Sequence, residues 1–134
     1  MNLRDLSNSL PNGFHDSEIQ SLSIDFKACE ARLFLSVWVG DMTSEEESVR
    51  ERYKTGELVL SYIGYWMAEP PDPKSAALSP GTPCIDIGEL DTLKHPPSMP
   101  LPEVGNDYTE HWMYINETNS LIYFSAKSAN IHWD

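Results

Sequence analysis

Cysteine is nearly absent: among 134 residues only Cys29 and Cys84 occur, far apart and in no Cys-x-x-Cys pair. That spacing excludes a zinc knuckle or a thioredoxin-type motif and leaves no disulfide framework to build, so two reduced thiols in a cytoplasmic protein are expected. Glycines number seven and nowhere form a pattern that cradles phosphate. No serine stands in a Gly-x-Ser-x-Gly elbow and neither cysteine has an evident histidine partner, so nucleophilic catalysis has no support. Long apolar runs are missing as well. None approaches the roughly 18 residues of a membrane span, and the start Met1-Asn2-Leu3-Arg4-Asp5 lacks a basic region followed by an apolar stretch. Positive charge is scarce beside negative: 9 Lys and Arg face 21 Asp and Glu, for a net charge of −12 and a pI near 4.5. Such a field repels phosphate backbones and anionic lipid heads and attracts basic partners, although acidity also serves plain solubility. The expectation is therefore no nucleic-acid partner, no membrane and no cofactor, with a basic protein as the favoured partner class. Nothing in the chain sets its oligomeric state.

What is present describes one domain over 1–134. A chain of this length can bury about two thirds of its unfolded surface, and 40% hydrophobic with 22% charged residues lies near the globular average. Leu3, Leu6 and Leu10 share one helical face ahead of the turn Pro11-Asn12-Gly13. From Ser21 the period becomes two, with Leu22, Ile24 and Phe26 on one side and Ser21, Ser23 and Asp25 on the other, as a half-exposed antiparallel strand requires. Residues 32–40 are apolar on both faces and read as a central strand. Between Asp41 and Lys54, the pairs Thr43/Glu46 and Ser44/Glu47 fit capping boxes, so a short helix with Val49 and Tyr53 facing the core competes with a charged loop. Residues 57–67 form a long strand in which Gly64 marks a bulge or a close backbone approach.

Nine of the ten prolines lie between Pro70 and Pro102. Proline lacks a ladder donor, so residues 69–107 read as a long irregular loop containing one short strand, Cys84 to Ile87. Strands resume at 111–115, 121–126 and 129–133, the first two separated by a hairpin loop. The predicted fold is α+β and mainly β: an antiparallel sheet or small sandwich of six to seven strands, one or two short helices and the Pro-rich loop. Its core is expected at Leu33, Leu35, Val37, Leu58, Leu60, Ile122 and Phe124.

Chemistry-bearing residues converge only at Gly13-Phe14-His15-Asp16-Ser17-Glu18. An adjacent His and Asp invite comparison with metal-dependent hydrolases, but a metal site needs three or four placed ligands and the sequence shows one pair. The competing reading is structural: Asp16 or Ser17 caps turn donors and His15 ties the turn to the sheet. His95, His111 and His132 stand singly, and His111, on the face of Met113 and Ile115, reads as a partly buried hydrogen-bonded histidine. Trp38, Tyr62, Tyr65, Trp66 and Trp112 fall in strands expected to neighbour one another, where an outward Trp or Tyr can anchor an interface. Asp41 with Glu45, Glu46 and Glu47 can steer a basic partner towards it. The candidate binding set is thus His15, Asp16, Glu18, Trp38, Asp41, Glu45, Glu46, Glu47 and Trp66, with no catalytic or metal residues assigned.

The stretch Leu10 to Glu18, followed by Ser21 to Asp25 and Leu33 to Gly40, resembles small uncharacterised bacterial proteins with an N-terminal His-Asp-[Ser/Ala]-x-[Ile/Leu] turn before a β-hairpin. Glu69-Pro70-Pro71-Asp72-Pro73 is similar to the same group. The opening also looks like that of immunity proteins of bacterial polymorphic toxin systems. That resemblance implies a non-catalytic protein that neutralises a cognate toxin, often a basic nuclease, and it brings no catalytic residues with it. A small-ligand-binding or regulatory domain is the alternative, followed by a metal-dependent hydrolase using His15 and Asp16.

Overall fold

The computed structural model describes residues 1–75 and 78–134. It is mainly β, with 46% of residues in strands and 11% in helices. In chain order the elements are α1 (Leu3–Ser9), β1 (Ser17–Asp25), β2 (Glu30–Trp38), α2 (Glu47–Arg50), β3 (Tyr53–Ala68), β4 (Cys84–Glu89), a 3-10 turn at Leu90–Thr92, β5 (Thr109–Ile115) and β6 (Ser120–Trp133). The six strands form one antiparallel sheet in the order β1-β2-β3-β6-β5-β4, and β4 pairs back with β1 to close a barrel. Closure by a sheet curling on itself, rather than two stacked sheets, removes most free edges. No helix among the described residues is long and apolar enough to cross a membrane.

Period-two alternation builds the core. In β2, Ala31, Leu33, Leu35 and Val37 all point inward at 0% exposure, and Leu58 and Leu60 of β3 meet them in register. Ile122, Phe124, Met113 and Ile85 complete the lining, so all seven residues expected in the core are there. Each of the larger side chains contributes about 1.5 to 3 kcal/mol by leaving water. Leu3 and Leu6 of α1, with Phe14, join this core, and Asn2 caps the helix by accepting the Asp5 N–H at 2.8 Å.

Several expectations change. The strands read separately at 121–126 and 129–133 are one strand, β6, which makes the count six. The short strand expected at Cys84 to Ile87 within the Pro-rich segment is present as β4, extended to Glu89, and pairs with β5 on one side and with β1 on the other. Gly64 does mark a bulge: the β3–β6 register shifts between Ile63 and Tyr65, and the Ser125 hydroxyl accepts the Tyr65 N–H at 3.1 Å. A Cβ on Gly64 would stand 2.4 Å from that hydroxyl oxygen. Neither capping box forms, since α2 begins after Glu46 with no side-chain cap. Val49 and Tyr53 do not face the core but are exposed, at 40% and 44%, because the 39–52 connection is attached through backbone hydrogen bonds and the Trp38 indole and not through an apolar helix face. Trp38 and Trp112 sit on β2 and β5, which are not neighbours.

Candidate binding surface

The turn between α1 and β1 is held from two sides. Asn12 donates through Nδ2 to the Trp38 carbonyl at 3.3 Å and to the Gly40 carbonyl at 2.8 Å, tying the turn to the end of β2. Asp86, on the outer face of β4, accepts from the Asp16 N–H at 3.0 Å and lies 2.6 Å from Nδ1 of His15. The second ring nitrogen of His15 is 3.3 Å from Asp16 Oδ2, so the imidazole lies between two carboxylates. Asp16 takes φ +52°, a left-handed conformation that Asp tolerates better than most residues.

Topology thus supplies a third member that the linear motif lacks. His15, Asp16 and Asp86 each present a ligand-type atom, all within 4.8 Å of one another. Their mutual hydrogen bonds account for this arrangement, and His15 and Asp16 are exposed while Asp86 is half-buried. His15 ties the turn to the sheet through the Asp86 carboxylate. Asp86 was missed because it is one acid in an ordinary strand; only the β1–β4 pairing brings it to the turn.

Trp38 closes β2 and donates from Nε1 to the Arg50 carbonyl at 2.8 Å. Together with Val39 N–H to the Arg52 carbonyl at 2.8 Å and Asp41 N–H to the Val49 carbonyl at 3.2 Å, this folds residues 39–52 against the barrel end. Gly40 is buried there, and a Cβ on it would fall 1.9 Å from the Arg50 carbonyl oxygen. Asp41 accepts from the Thr43 hydroxyl and N–H at 2.7 and 2.9 Å, contacts that hold its carboxyl below the usual range.

Asp16, Trp38, Met42, Arg50, Glu51 and Tyr53 line an open cleft of about 500 Å³. Glu46 and Glu47 border an adjoining depression that shares Glu51. Glu18 belongs to the same wall: it pairs with Ser36 on one side and Cys84 on the other, next to Asp86 on β4. Two groups register its field. The Tyr53 phenol is raised by burial and then by Glu18, Cys84, Asp16 and Glu51, and the Cys84 thiol by burial and then by Glu18, Asp16 and Asp86. Both side chains are nonetheless largely exposed.

Of the expected binding set, His15, Asp16, Glu18 and Trp38 come together, with Glu46 and Glu47 beside them. Asp41 and Glu45 lie exposed on the same 39–52 connection. Trp66 does not join them. It lies thirteen residues along β3 from Tyr53, roughly 40 Å of strand path, and stacks on Phe124 with ring centroids 5.0 Å apart. Tyr53, Met42, Glu51 and Asp86 are the additions, and an exposed Met and Tyr beside acids were the available signal.

No protein-family model matches this chain, and no curated protein matches it. Among solved structures, the fold is similar to the crystal structure of an uncharacterized protein from Neisseria gonorrhoeae, with 16% identity over 89% of this chain and 92% of that one and a TM-score of 0.46. That likeness is too distant to bear on function.

Proposed function

We propose that this chain is a non-catalytic protein-binding domain of the immunity type, which holds a basic partner such as a toxin domain against its acidic wall. One observation carries the reading: Asp16 and Glu51 line one cleft with the exposed Met42 and Tyr53, the half-buried Trp38 and a single cation, Arg50, while Glu46 and Glu47 border the adjoining depression and Glu18 and Asp86 lie on the paired strands beside it. Apolar and aromatic side chains supply contact area, and the surrounding carboxylates speed encounter with a cation-rich surface. A net charge of −12 extends the attraction beyond contact distance.

Steering of this kind is screened by salt, with a Debye length of about 8 Å at physiological ionic strength. With the cognate basic protein in hand, stopped-flow association should slow by about tenfold or more between low and physiological salt. A Glu18→Gln, Glu47→Gln, Glu51→Gln triple variant should associate more slowly at low salt with its dissociation rate nearly unchanged. Association indifferent to both salt and these substitutions would refute the electrostatic reading. Reproducible turnover of a small substrate by the pure protein would refute the non-catalytic one.

A further inference from the structure

The barrel is sealed unevenly. β1 pairs with β2 from Glu18 to Asp25, but with β4 only at Ser17 and Glu18, extended by one bond from the Ile19 N–H to the Pro83 carbonyl at 3.0 Å. A register shift between Ile19 and Ser21 lies where β4 leaves. From Gln20 to Asp25, no described strand pairs with the second edge of β1. This stretch is about 20 Å long and leaves alternate N–H and C=O groups available for another strand.

The side chains mark the same gap. Leu22 and Ile24 stand in register with Leu33 and Ala31, both 0% exposed, yet Leu22 is 38% exposed and Ile24 only half-buried. The same face of the sheet is covered at β2 and uncovered at β1. Just beyond, Phe26 is 89% exposed, and it borders with Ile24, Ile63 and Trp66 a largely apolar depression of about 220 Å³. Lone edge strands are ordinarily protected by Lys, Pro or an inward charge, and Gln20-Ser21-Leu22-Ser23-Ile24 contains none.

We propose that this free edge of β1 accepts an extended, cationic segment of the partner as an added antiparallel strand, with apolar residues at alternate positions. The backbone edge selects an extended chain, and the Leu22/Ile24 side selects apolar groups every second residue. Charge selects the sign. Glu18 and Asp25 flank the edge, and Arg32, the cation in register with Ser23, is already engaged by Glu30 and Glu57 at 2.8 and 2.7 Å. A second copy fits less well, because antiparallel β1–β1 pairing would bring the acidic ends of two chains of charge −12 together. The cationic part of this assignment rests on the basic-partner reading, and the strand-accepting edge does not.

The test uses the full chain and three synthetic heptapeptides, acetyl-KVKIKVK-amide, acetyl-KVKPKVK-amide and acetyl-EVEIEVE-amide, with amide hydrogen exchange followed residue by residue by NMR. Saturating KVKIKVK should slow exchange at the Gln20–Asp25 amides that face away from β2 by about tenfold or more. The other two peptides should leave those amides unprotected. Ser23→Pro should abolish the protection. Should that variant fold poorly, Leu22→Lys keeps the backbone donor and should weaken KVKIKVK binding by about tenfold through repulsion and lost apolar contact. Unchanged β1 exchange at saturation would overturn the proposal, as would protection without peptide that grows with protein concentration, which would assign the edge to a second copy. Perturbation confined to Trp38, Tyr53 and Glu51 would overturn the edge site and support the acidic-wall reading. Equal β1 protection by EVEIEVE would overturn the cationic assignment and count against the basic partner.

Discussion

Lowering the pH from 7 to 5 should remove about 2 kcal/mol of stability through one buried side chain, His111. This residue is 2% exposed, stacks on Phe124 with centroids 5.5 Å apart, and has Nε2 at 2.8 Å from the Thr109 hydroxyl. Its ring also hydrogen-bonds to the Gly88 backbone. The Thr109 hydroxyl can donate to Nε2 or accept from it and also reaches the Ala126 carbonyl at 3.4 Å, so the ring finds a partner there in either protonation state and the cost of charging it is that of burial. Burial pulls the group down from 6.5 to about 4, with Arg4 adding to the fall while Glu89 and the Gly88 contact oppose it. Because the folded value is depressed, the unfolded chain binds the extra proton first, and stability falls as pH drops from about 6.5 towards 4. At pH 5 the unfolded histidine is almost fully protonated and the folded one barely so, which corresponds to roughly 1.5 units at about 1.4 kcal/mol each. Urea unfolding at the two pH values reads this directly. His111→Gln keeps polar atoms at the site and should flatten the difference by about 2 kcal/mol, with carboxylate contributions common to both proteins cancelling. Equal pH dependence in the wild type and the variant would refute the reasoning.

Gly40→Ala should destabilise by about 1 to 3 kcal/mol, because its Cβ has no space beside the Arg50 carbonyl, and the displaced 39–52 connection should change Trp38 fluorescence; urea titration followed by tryptophan emission checks both. Cys84 should be alkylated more slowly than Cys29 at neutral pH, since burial and the carboxylates of Glu18, Asp16 and Asp86 raise its thiol, and Glu18→Gln should accelerate it. Timed labelling with mass readout decides this, and an unchanged Cys84 rate in Glu18→Gln would count against a field at the wall.

Local pattern carried far in some places and stopped in others. The alternation of β2 was readable because a half-buried strand repeats every two residues, and the Gly64 bulge because a strand glycine signals an irregularity. The 39–52 connection misled: Thr43/Glu46 and Ser44/Glu47 have cap spacing, but Asp41 takes the Thr43 hydroxyl and the Ser44 hydroxyl accepts the Glu46 N–H at 3.2 Å, a local turn that competes with the helix. β6 looked like two strands because Lys127 and Ser128 interrupt the apolar run. They remain in the ladder because Ser61 pairs with Ser128, and Lys127 bonds Asp107 at 2.9 Å.

By itself the sequence determined that this is an acidic, mainly β chain with seven identifiable core residues and a turn centred on His15 and Asp16, since these depend on composition and on periods of two to four residues. Only the tertiary structure decided that the sheet closes as a barrel, that Asp86 reaches His15 from 71 residues away, that Trp66 leaves the acidic cluster, and that Gln20 to Asp25 keeps a free edge. The reason is that strand order and register are settled by packing the whole set of inward faces at once. The Pro-rich segment shows this most directly: Cys84 to Ile87 is legible in it as a short strand, but only its pairing with β5 on one side and β1 on the other makes that strand the one that closes the barrel.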